Sequence, residues 1–213
     1  MSVGAIGATN AVSSSTVDPT RTPVSRADLR SAIGRAYVRV TGKAASSTLL
    51  DNLTAQASLE TGGGAQMYNY NFGGIKGSSP TGQTAECLTH EVVGGKEITV
   101  RQGFRAYGSI DAGAEDYVHV LRKNFGVALG KAELADAGGF AHALKQAGYY
   151  TASESDYANA LRSQTGAAAP APAAQAAPSL DKFFDSASLT RICNALSESA
   201  LRIASPEHDS SGA

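Results

Sequence analysis

The chain has 213 residues, with 18 basic and 19 acidic side chains and a formal net charge of −1. This length allows one substantial core with appendages, or two small domains. The balanced charge does not point to nucleic acid or an anionic membrane surface, and no run of about 18 apolar residues indicates a membrane span. The two cysteines, Cys87 and Cys193, are too few and too far apart to suggest a disulfide framework.

The first 24 residues are rich in Ser, Thr, Ala and Gly, and we expect them to form a disordered arm. They contain no basic segment followed by a sustained apolar run, so a Sec signal peptide is not recognised.

Two helices are predicted next, over residues 26–40 and 47–61. Ser25 can cap the first helix together with Asp28, and a glycine follows each helix as a stop signal. Residues 65–83 then form a long loop rich in Gly, Asn, Ser and Tyr, the kind of segment that often carries function.

The periodicity changes over residues 84–104, where two strand-like runs flank a glycine pair and predict a β-hairpin. Three further helices are predicted: one capped by Ser109 and running to about residue 122, one over residues 131–146, and one over residues 154–164.

The composition changes again after this last helix. We therefore expect four parts: a disordered arm (1–24), a catalytic domain (25–164), an Ala/Pro-rich linker (165–178), and a C-terminal amphipathic helix with its tail (179–213). The apolar stripe of that helix, Leu189, Ile192 and Leu196, cannot be buried by one helix alone. It is expected to dock on the domain or on a protein partner, an exposed tail being the alternative.

Several motifs of known chemistry are incomplete. The stretch "HEVVG" lacks the second histidine of a zinc protease, "GGKE" lacks the first glycine and the final Ser or Thr of a phosphate-binding loop, and no G-x-S-x-G elbow occurs. The sequence therefore predicts no metal ion and no cofactor.

The stretch "LTAQASLETGGG" places a carboxylate, Glu60, on the same helical face as Leu53 and Ala57, one turn from three consecutive glycines. An apolar surrounding and the negative end of the helix dipole both disfavour the ionised form and raise the pKa of a carboxyl group. A raised pKa suits a general acid that works near neutral pH. The alternative is that Glu60 simply extends from the last turn into water.

Five blocks carry a resemblance to a known family: "LTAQASLETGGG", "YNYNFGGIKG", "FRAYGSIDAGAEDYVHVL", "FAHALKQAGYYT" and "DYANAL". In this order and spacing, over residues 49–161, they resemble the glucosaminidase domain of flagellum-associated peptidoglycan hydrolases, glycoside hydrolase family 73. The resemblance implies a lysozyme-like, mainly α fold with a small β-hairpin lobe (α+β). It also implies an endo-β-N-acetylglucosaminidase that cleaves the β-1,4 bond between N-acetylglucosamine and N-acetylmuramic acid in peptidoglycan glycan strands. Such an enzyme works in the periplasm or cell-wall space, and here it is expected to be exported without a recognisable Sec signal peptide.

The resemblance also assigns the catalytic residues. The family's general acid, in its "ALE-[ST]-G" motif, falls on Glu60, and its second acidic residue lies in the hairpin upstream of "F-R-x-Y". Spacing back from Phe104 favours Glu91. Glu86 has the opposite strand parity and Glu97 follows the turn, and both remain alternatives.

Substrate-binding positions are implied by two further motifs. The "Y-N-x-F-G-I-K" loop maps to Asn71 and Phe72, and "A-G-Y-A-T" maps to Tyr149, although Phe72 packing beneath the loop is an equal alternative. Many family members have tryptophan after "E-[ST]-G", whereas this chain has Gly63 and Gly64.

Other functions remain open on the same fold. A lytic transglycosylase or muramidase also uses a single glutamate at a helix end, and a non-catalytic wall-binding or assembly module would keep the cleft without the chemistry. The choice between a retaining, an inverting and a substrate-assisted mechanism is open as well.

Overall fold

The computed structural model describes residues 14–93, 96–150 and 152–165. Within them the chain forms six helices and one three-stranded sheet. The elements in chain order are β1 (Ser15–Val17), α1 (Arg26–Thr41), α2 (Ser47–Thr61), β2 (Gln83–Val93), β3 (Lys96–Arg105), α3 (Ile110–Asn124), α4 (Gly126–Glu133), α5 (Ala137–Gln146) and α6 (Glu154–Thr165).

The first helix begins and ends at the signals that the sequence predicted. Ser25 accepts a hydrogen bond from the backbone N–H of Asp28, and the Asp28 carboxylate accepts one from the Ser25 N–H, which completes a capping box. Gly42 ends α1 in the left-handed conformation, with φ 74°. α1 packs against α2 and α3.

The second helix, α2, is the centre of the helical body. It packs against α1, α4 and α6, and every residue from Asn52 to Thr61 is buried. A helix covered on several sides buries its polar side chains together with its apolar ones, so the single apolar stripe that its sequence suggested describes only part of its surface. Glu60, the general acid expected at the end of α2, is therefore carried by a helix that lies in the middle of the domain.

The predicted β-hairpin is confirmed. β2 and β3 are antiparallel, with Glu86 opposite Gly103 and Glu91 opposite Ile98. The hairpin is joined to the helical body where β3 ends. There the buried carboxylate of Asp116 on α3 lies 2.8 Å from Arg105 Nη1 and accepts a hydrogen bond of 2.5 Å from the Tyr107 hydroxyl.

The expectation of a disordered arm over residues 1–24 is wrong from residue 14 onward. β1 pairs in parallel with β2, Ser15 lying opposite Gln83, and the following residues run along the loop after α2. The N–H of Thr22 donates to the Met67 carbonyl at 3.0 Å and the N–H of Val24 donates to the Gly64 carbonyl at 3.1 Å. A composition poor in large apolar residues does not exclude order when backbone groups find partners.

One predicted helix is two helices in the structure. The helix expected over residues 131–146 is interrupted after Glu133, because Ala135 has φ 58°, and the next helix, α5, begins only at Ala137. The Asp136 carboxylate accepts a 2.8 Å hydrogen bond from the Gly139 N–H, which is a helix N-cap. Apolar periodicity continues across this break, so periodicity alone does not reveal it.

Three predicted segments lie outside the described residues. They are residues 1–13 of the arm, the Ala/Pro-rich linker (165–178) after Thr165, and the C-terminal amphipathic helix with its tail (179–213). No helix in the described ranges is both long and apolar enough to cross a membrane.

Candidate active site

Glu60 lies in the last turn of α2, where the sequence placed it. Gly62 ends the helix in the left-handed conformation, with φ 59°, and its N–H donates to the Ser58 carbonyl. Only 8% of the Glu60 surface is exposed. The carboxyl group is therefore held at the end of a buried helix, with a small opening to solvent.

This burial changes the acidity of Glu60. It raises the pKa of the carboxyl group from 4.5 to about 8, while a hydrogen bond from Gln56 acts in the opposite direction. Glu60 is consequently protonated at neutral pH. A protonated carboxylic acid with limited access is what general acid catalysis requires of a proton donor.

A buried amide lies next to this acid, one turn earlier in α2. Gln56 has no exposed surface, and its Nε2 donates to Glu60 Oε1 at 3.4 Å and to the hydroxyl of Tyr149. Its Oε1 accepts a hydrogen bond from the hydroxyl of Tyr117 on α3. Gln56 is not among the residues predicted from the sequence, although a polar residue four positions before Glu60 on the same helical face is a usable signal.

Three tyrosines surround the same group. Burial raises the pKa of Tyr117, Tyr149 and Tyr157 well above its ordinary value, and the neighbouring Glu60 adds to the shift for each of them. The Tyr157 hydroxyl, on α6, is buried and has no hydrogen-bond partner among the described residues. All three phenols therefore remain neutral over the pH range in which Glu60 titrates.

The loop residues predicted to contact sugar lie in the interior. Asn71 Nδ2 donates to the carbonyls of Ile75 and Arg105 at 2.9 and 3.0 Å, and its Oδ1 accepts from the Ile75 N–H at 2.9 Å and, more weakly, from the Gly73 N–H at 3.4 Å. This amide ties the loop to the end of β3, and its hydrogen-bonding groups are occupied within the chain.

The two aromatic residues predicted for sugar binding are also covered. Phe72 has no exposed surface and stacks against Tyr117, with 5.8 Å between the ring centroids. Tyr149 is 2% exposed and contacts Phe125 edge to face at 5.1 Å. Phe72 therefore presents no ring face to a substrate, while the hydroxyl of Tyr149 belongs to the hydrogen-bond network of Gln56.

The hairpin carboxylates are in different situations. Glu86 is exposed and its carboxylate lies 3.8 Å from Arg101 Nη1 on β3. Glu91 lies near the far end of β2, five residues beyond Glu86 on a continuous strand, and Glu97 is the second residue of β3. For Glu91 and Glu97 the structure describes the backbone.

The glycines after Glu60 have separate roles. A side chain at Gly64 would place its Cβ 2.4 Å from the carbonyl oxygen of Val24, so the ordered segment before α1 requires a glycine there. At Gly63 nothing lies within 4 Å of the Cβ position, and its φ of 67° favours glycine. There is therefore free space at the Cβ position of Gly63, whereas the backbone of Val24 occupies that space at Gly64.

The described residues contain no group of three or more His, Cys, Asp or Glu side chains arranged to hold a metal ion. They do contain a buried carboxylic acid at a helix end, within a helical body that has a β-hairpin lobe, and such an acid is suited to proton donation.

A family model described as "Mannosyl-glycoprotein endo-beta-N-acetylglucosaminidase" matches residues 43–166, more than half of the chain. The chain belongs to this glucosaminidase family, and the resemblance found in the sequence motifs is confirmed. It is therefore a glycoside hydrolase by family.

Individual relatives agree with this assignment. The peptidoglycan hydrolase FlgJ of Pseudomonas aeruginosa is 36% identical over 107 residues, which are 46% of this chain and 27% of the relative, so the match spans about a quarter of that protein.

Two solved structures are also similar. The catalytic domain of the autolysin Auto from Listeria monocytogenes is 24% identical with a TM-score of 0.51, over 68% of this chain and 85% of that one. A C-terminally truncated glycoside hydrolase domain of FlgJ from Salmonella typhimurium is 29% identical with a TM-score of 0.47, over 66% of this chain and 92% of that one. The similarity to the autolysin agrees with the predicted mainly α, lysozyme-like fold with a small β-hairpin lobe, which is confirmed.

Proposed function

We propose that this protein is a peptidoglycan hydrolase that cleaves the β-1,4 bond between N-acetylglucosamine and N-acetylmuramic acid. The observation that carries the proposal is Glu60, a buried carboxyl group with a pKa of about 8 at the end of the central helix of a glucosaminidase-family domain. The name of the Pseudomonas relative, a peptidoglycan hydrolase, supports the substrate class. Because glycan strands lie outside the cytoplasmic membrane, the enzyme acts in the periplasm or cell-wall space.

In the proposed reaction Glu60 is the general acid. It donates its proton to the glycosidic oxygen as the bond to the leaving sugar breaks, and positive charge develops on the ring that remains. Glu91 on the hairpin assists, either by activating a water molecule or by stabilising that charge. The end of β3 is joined to α3 through Arg105 and Asp116, which supports a hairpin that is attached firmly at its base.

In the proposal, three residues support the site from within the core: Asn71, Phe72 and Tyr149. Asn71 holds the loop, Phe72 supports Tyr117 from within the core, and Tyr149 bonds to Gln56. The motifs predicted that these residues contact the sugar directly. Because their side chains are buried, the proposal gives them this supporting role instead.

The decisive experiment compares Glu60→Gln with the wild type on purified peptidoglycan. The substitution keeps the volume of the side chain and removes its proton, so we expect hydrolysis to fall on the order of 10³-fold or more. Glu133→Gln is the matched control, because Glu133 also ends a helix but is exposed. More than a tenth of wild-type activity in Glu60→Gln would exclude Glu60 as the acid.

The same digests identify the bond that is cut. Reducing ends of N-acetylglucosamine are expected. Anhydro-muramyl products would instead indicate a lytic transglycosylase, reducing muramic acid ends a muramidase, and no products from the wild type a binding module.

The hairpin carboxylate is tested by replacing Glu86, Glu91 and Glu97 with glutamine one at a time. We expect Glu91→Gln to lose about 10²-fold or more, and the other two variants to stay close to the wild type. A dead Glu86→Gln with an active Glu91→Gln would assign the role to the other face of the strand.

A further inference from the structure

We propose that Gln56 is a positioning residue that holds the carboxyl group of Glu60 in one orientation, with its proton on the oxygen that faces away from Gln56. The inference deepens the proposed function and rests on it, since it assumes that Glu60 is the acid. In the structure, Gln56 Nε2 donates a hydrogen bond to Glu60 Oε1 at 3.4 Å. The carbonyl oxygen is the better acceptor of a neutral carboxylic acid, so this contact assigns the proton to Oε2.

The orientation of the amide is fixed by a second residue. The Tyr117 hydroxyl donates to Gln56 Oε1, which turns the NH2 group of Gln56 toward Glu60 and Tyr149. The Tyr117 hydroxyl also lies 3.1 Å from the carbonyl oxygen of Leu53, and in the proposal its single proton is donated to Gln56. Tyr117 therefore acts on Glu60 through Gln56.

The reversed amide makes the opposite prediction. With Oε1 of Gln56 facing Glu60, the amide would accept the acidic proton and hold it inside the protein, away from a substrate. A hydrogen bond to the neutral form raises the pKa of an acid, whereas a hydrogen bond to the ionised form lowers it. The direction of the pKa change on removing Gln56 therefore distinguishes the two orientations.

A change in the pKa of Glu60 can be measured because the titratable groups around it do not change charge in the same pH range. The titratable groups coupled to Glu60 are Tyr117 on α3, Tyr149 after α5 and Tyr157 on α6, and burial keeps the pKa of each well above 10. Gln56 itself has no exposed surface. Between pH 5 and 9, Glu60 is thus the member of this cluster that changes charge.

The test uses two variants, each with a matched control. Gln56→Met keeps the length of the side chain and removes the amide. Asn52→Leu is its control, because Asn52 is also a buried amide of α2 but bonds to the carbonyls of Thr48 and Ala132, two turns from Glu60. Tyr117→Phe removes the hydroxyl that donates to Gln56 Oε1. Its control is Tyr150→Phe, which removes a buried hydroxyl that donates to the Ala141 carbonyl.

Two readouts are taken on the full chain. The titration of Glu60 is followed by NMR of protein labelled with ¹³C at the glutamate carboxyl carbon, with Glu60→Gln used to assign the signal. The pH dependence of kcat/KM is measured on solubilised glycan strands, where the fall in rate at high pH reports deprotonation of the acid.

We expect Gln56→Met to raise the pKa of Glu60, to move the alkaline limb to higher pH, and to lower kcat/KM at neutral pH by about 10- to 100-fold. Tyr117→Phe should change both readouts in the same direction but less. Asn52→Leu and Tyr150→Phe should leave the pKa of Glu60 where it is in the wild type, whatever stability they lose.

Three results separate the possibilities. An unchanged or lowered pKa of Glu60 in Gln56→Met overturns the proposal, even if the wild type hydrolyses peptidoglycan. A shift of equal size in Asn52→Leu also overturns it, because the effect would then follow from loss of any buried amide. A wild type without hydrolytic activity, combined with a raised pKa in Gln56→Met, refutes the proposed function and supports the positioning contact.

Discussion

At the scale of single residues, several buried polar side chains have specific hydrogen-bond partners within the chain. Asn71 illustrates this, because its amide connects the loop after α2 to the last residue of β3 through the carbonyls of Ile75 and Arg105. A buried amide with several backbone partners stabilises a loop more than any single surface contact does. Asn71 therefore stabilises the conformation of this loop.

We predict that Asn71→Ala lowers the free energy of unfolding by about 2–4 kcal/mol, because it leaves buried backbone groups of the loop without partners. Urea denaturation measures the change. Asn159→Ala, on the exposed face of α6, is the control and should stay within about 0.5 kcal/mol of the wild type. Unchanged stability together with a raised KM would instead show that the amide binds sugar.

The sequence predicted Glu60 and missed its surroundings for a physical reason. The end of α2 is marked locally by Gly62, so the position of the acid at the helix terminus follows from short-range signals. Phe72 is buried against Tyr117 of α3, and Tyr149 is buried against Phe125, and each partner is distant in the chain. A motif match locates such residues near a site but does not tell an exposed ring from a buried one.

At the scale of elements, the break between α4 and α5 stores backbone strain. Ala135 has φ 58° in a turn between two helices, and a residue with a Cβ is disfavoured in this conformation. The residue is exposed, so a change there disturbs little packing.

Ala135→Gly is expected to increase the free energy of unfolding by up to about 1 kcal/mol, because glycine adopts positive φ without steric cost. The control is Ala132→Gly, a buried position within α4 where the same change should destabilise by about 1 kcal/mol. Both are compared by thermal and urea denaturation. A destabilised Ala135→Gly would mean that the left-handed turn is absent in solution.

The elements differ in how much local sequence determines them. α1, α2 and α3 have side-chain caps at Ser25, Ser46 and Ser109, and the first two also end at glycines, so their bounds were predicted within a few residues. β1 is three residues long, and its residues pair with residues of β2 that lie 68 positions later in the chain, as Ser15 does with Gln83. Its order comes from that pairing and from the contacts of residues 20–24, which no periodicity reveals.

At the scale of the whole molecule, burial of the Glu60 carboxyl group lowers the stability of the fold at neutral and alkaline pH. α2 is buried from Asn52 to Thr61, and Glu60 is the one carboxylate within that stretch. The pKa of Glu60 is 4.5 in an unfolded reference and about 8 in the folded protein. Between these values the native state holds a proton that the unfolded chain releases, so the free energy of unfolding decreases as the pH rises.

This linkage predicts a pH-dependent gain in stability for Glu60→Gln, which cannot ionise. Each pH unit between the two pKa values corresponds to up to about 1.4 kcal/mol, so we expect the variant to be more stable than the wild type by about 2–4 kcal/mol at pH 8. Below pH 4, where both states of the wild type are protonated, the difference should vanish. Urea denaturation at pH 4, 6 and 8 measures it, with Glu133→Gln as the exposed control. A difference that is the same at all three pH values would show that Glu60 is not held protonated by the fold, and would remove the basis for its role as the acid.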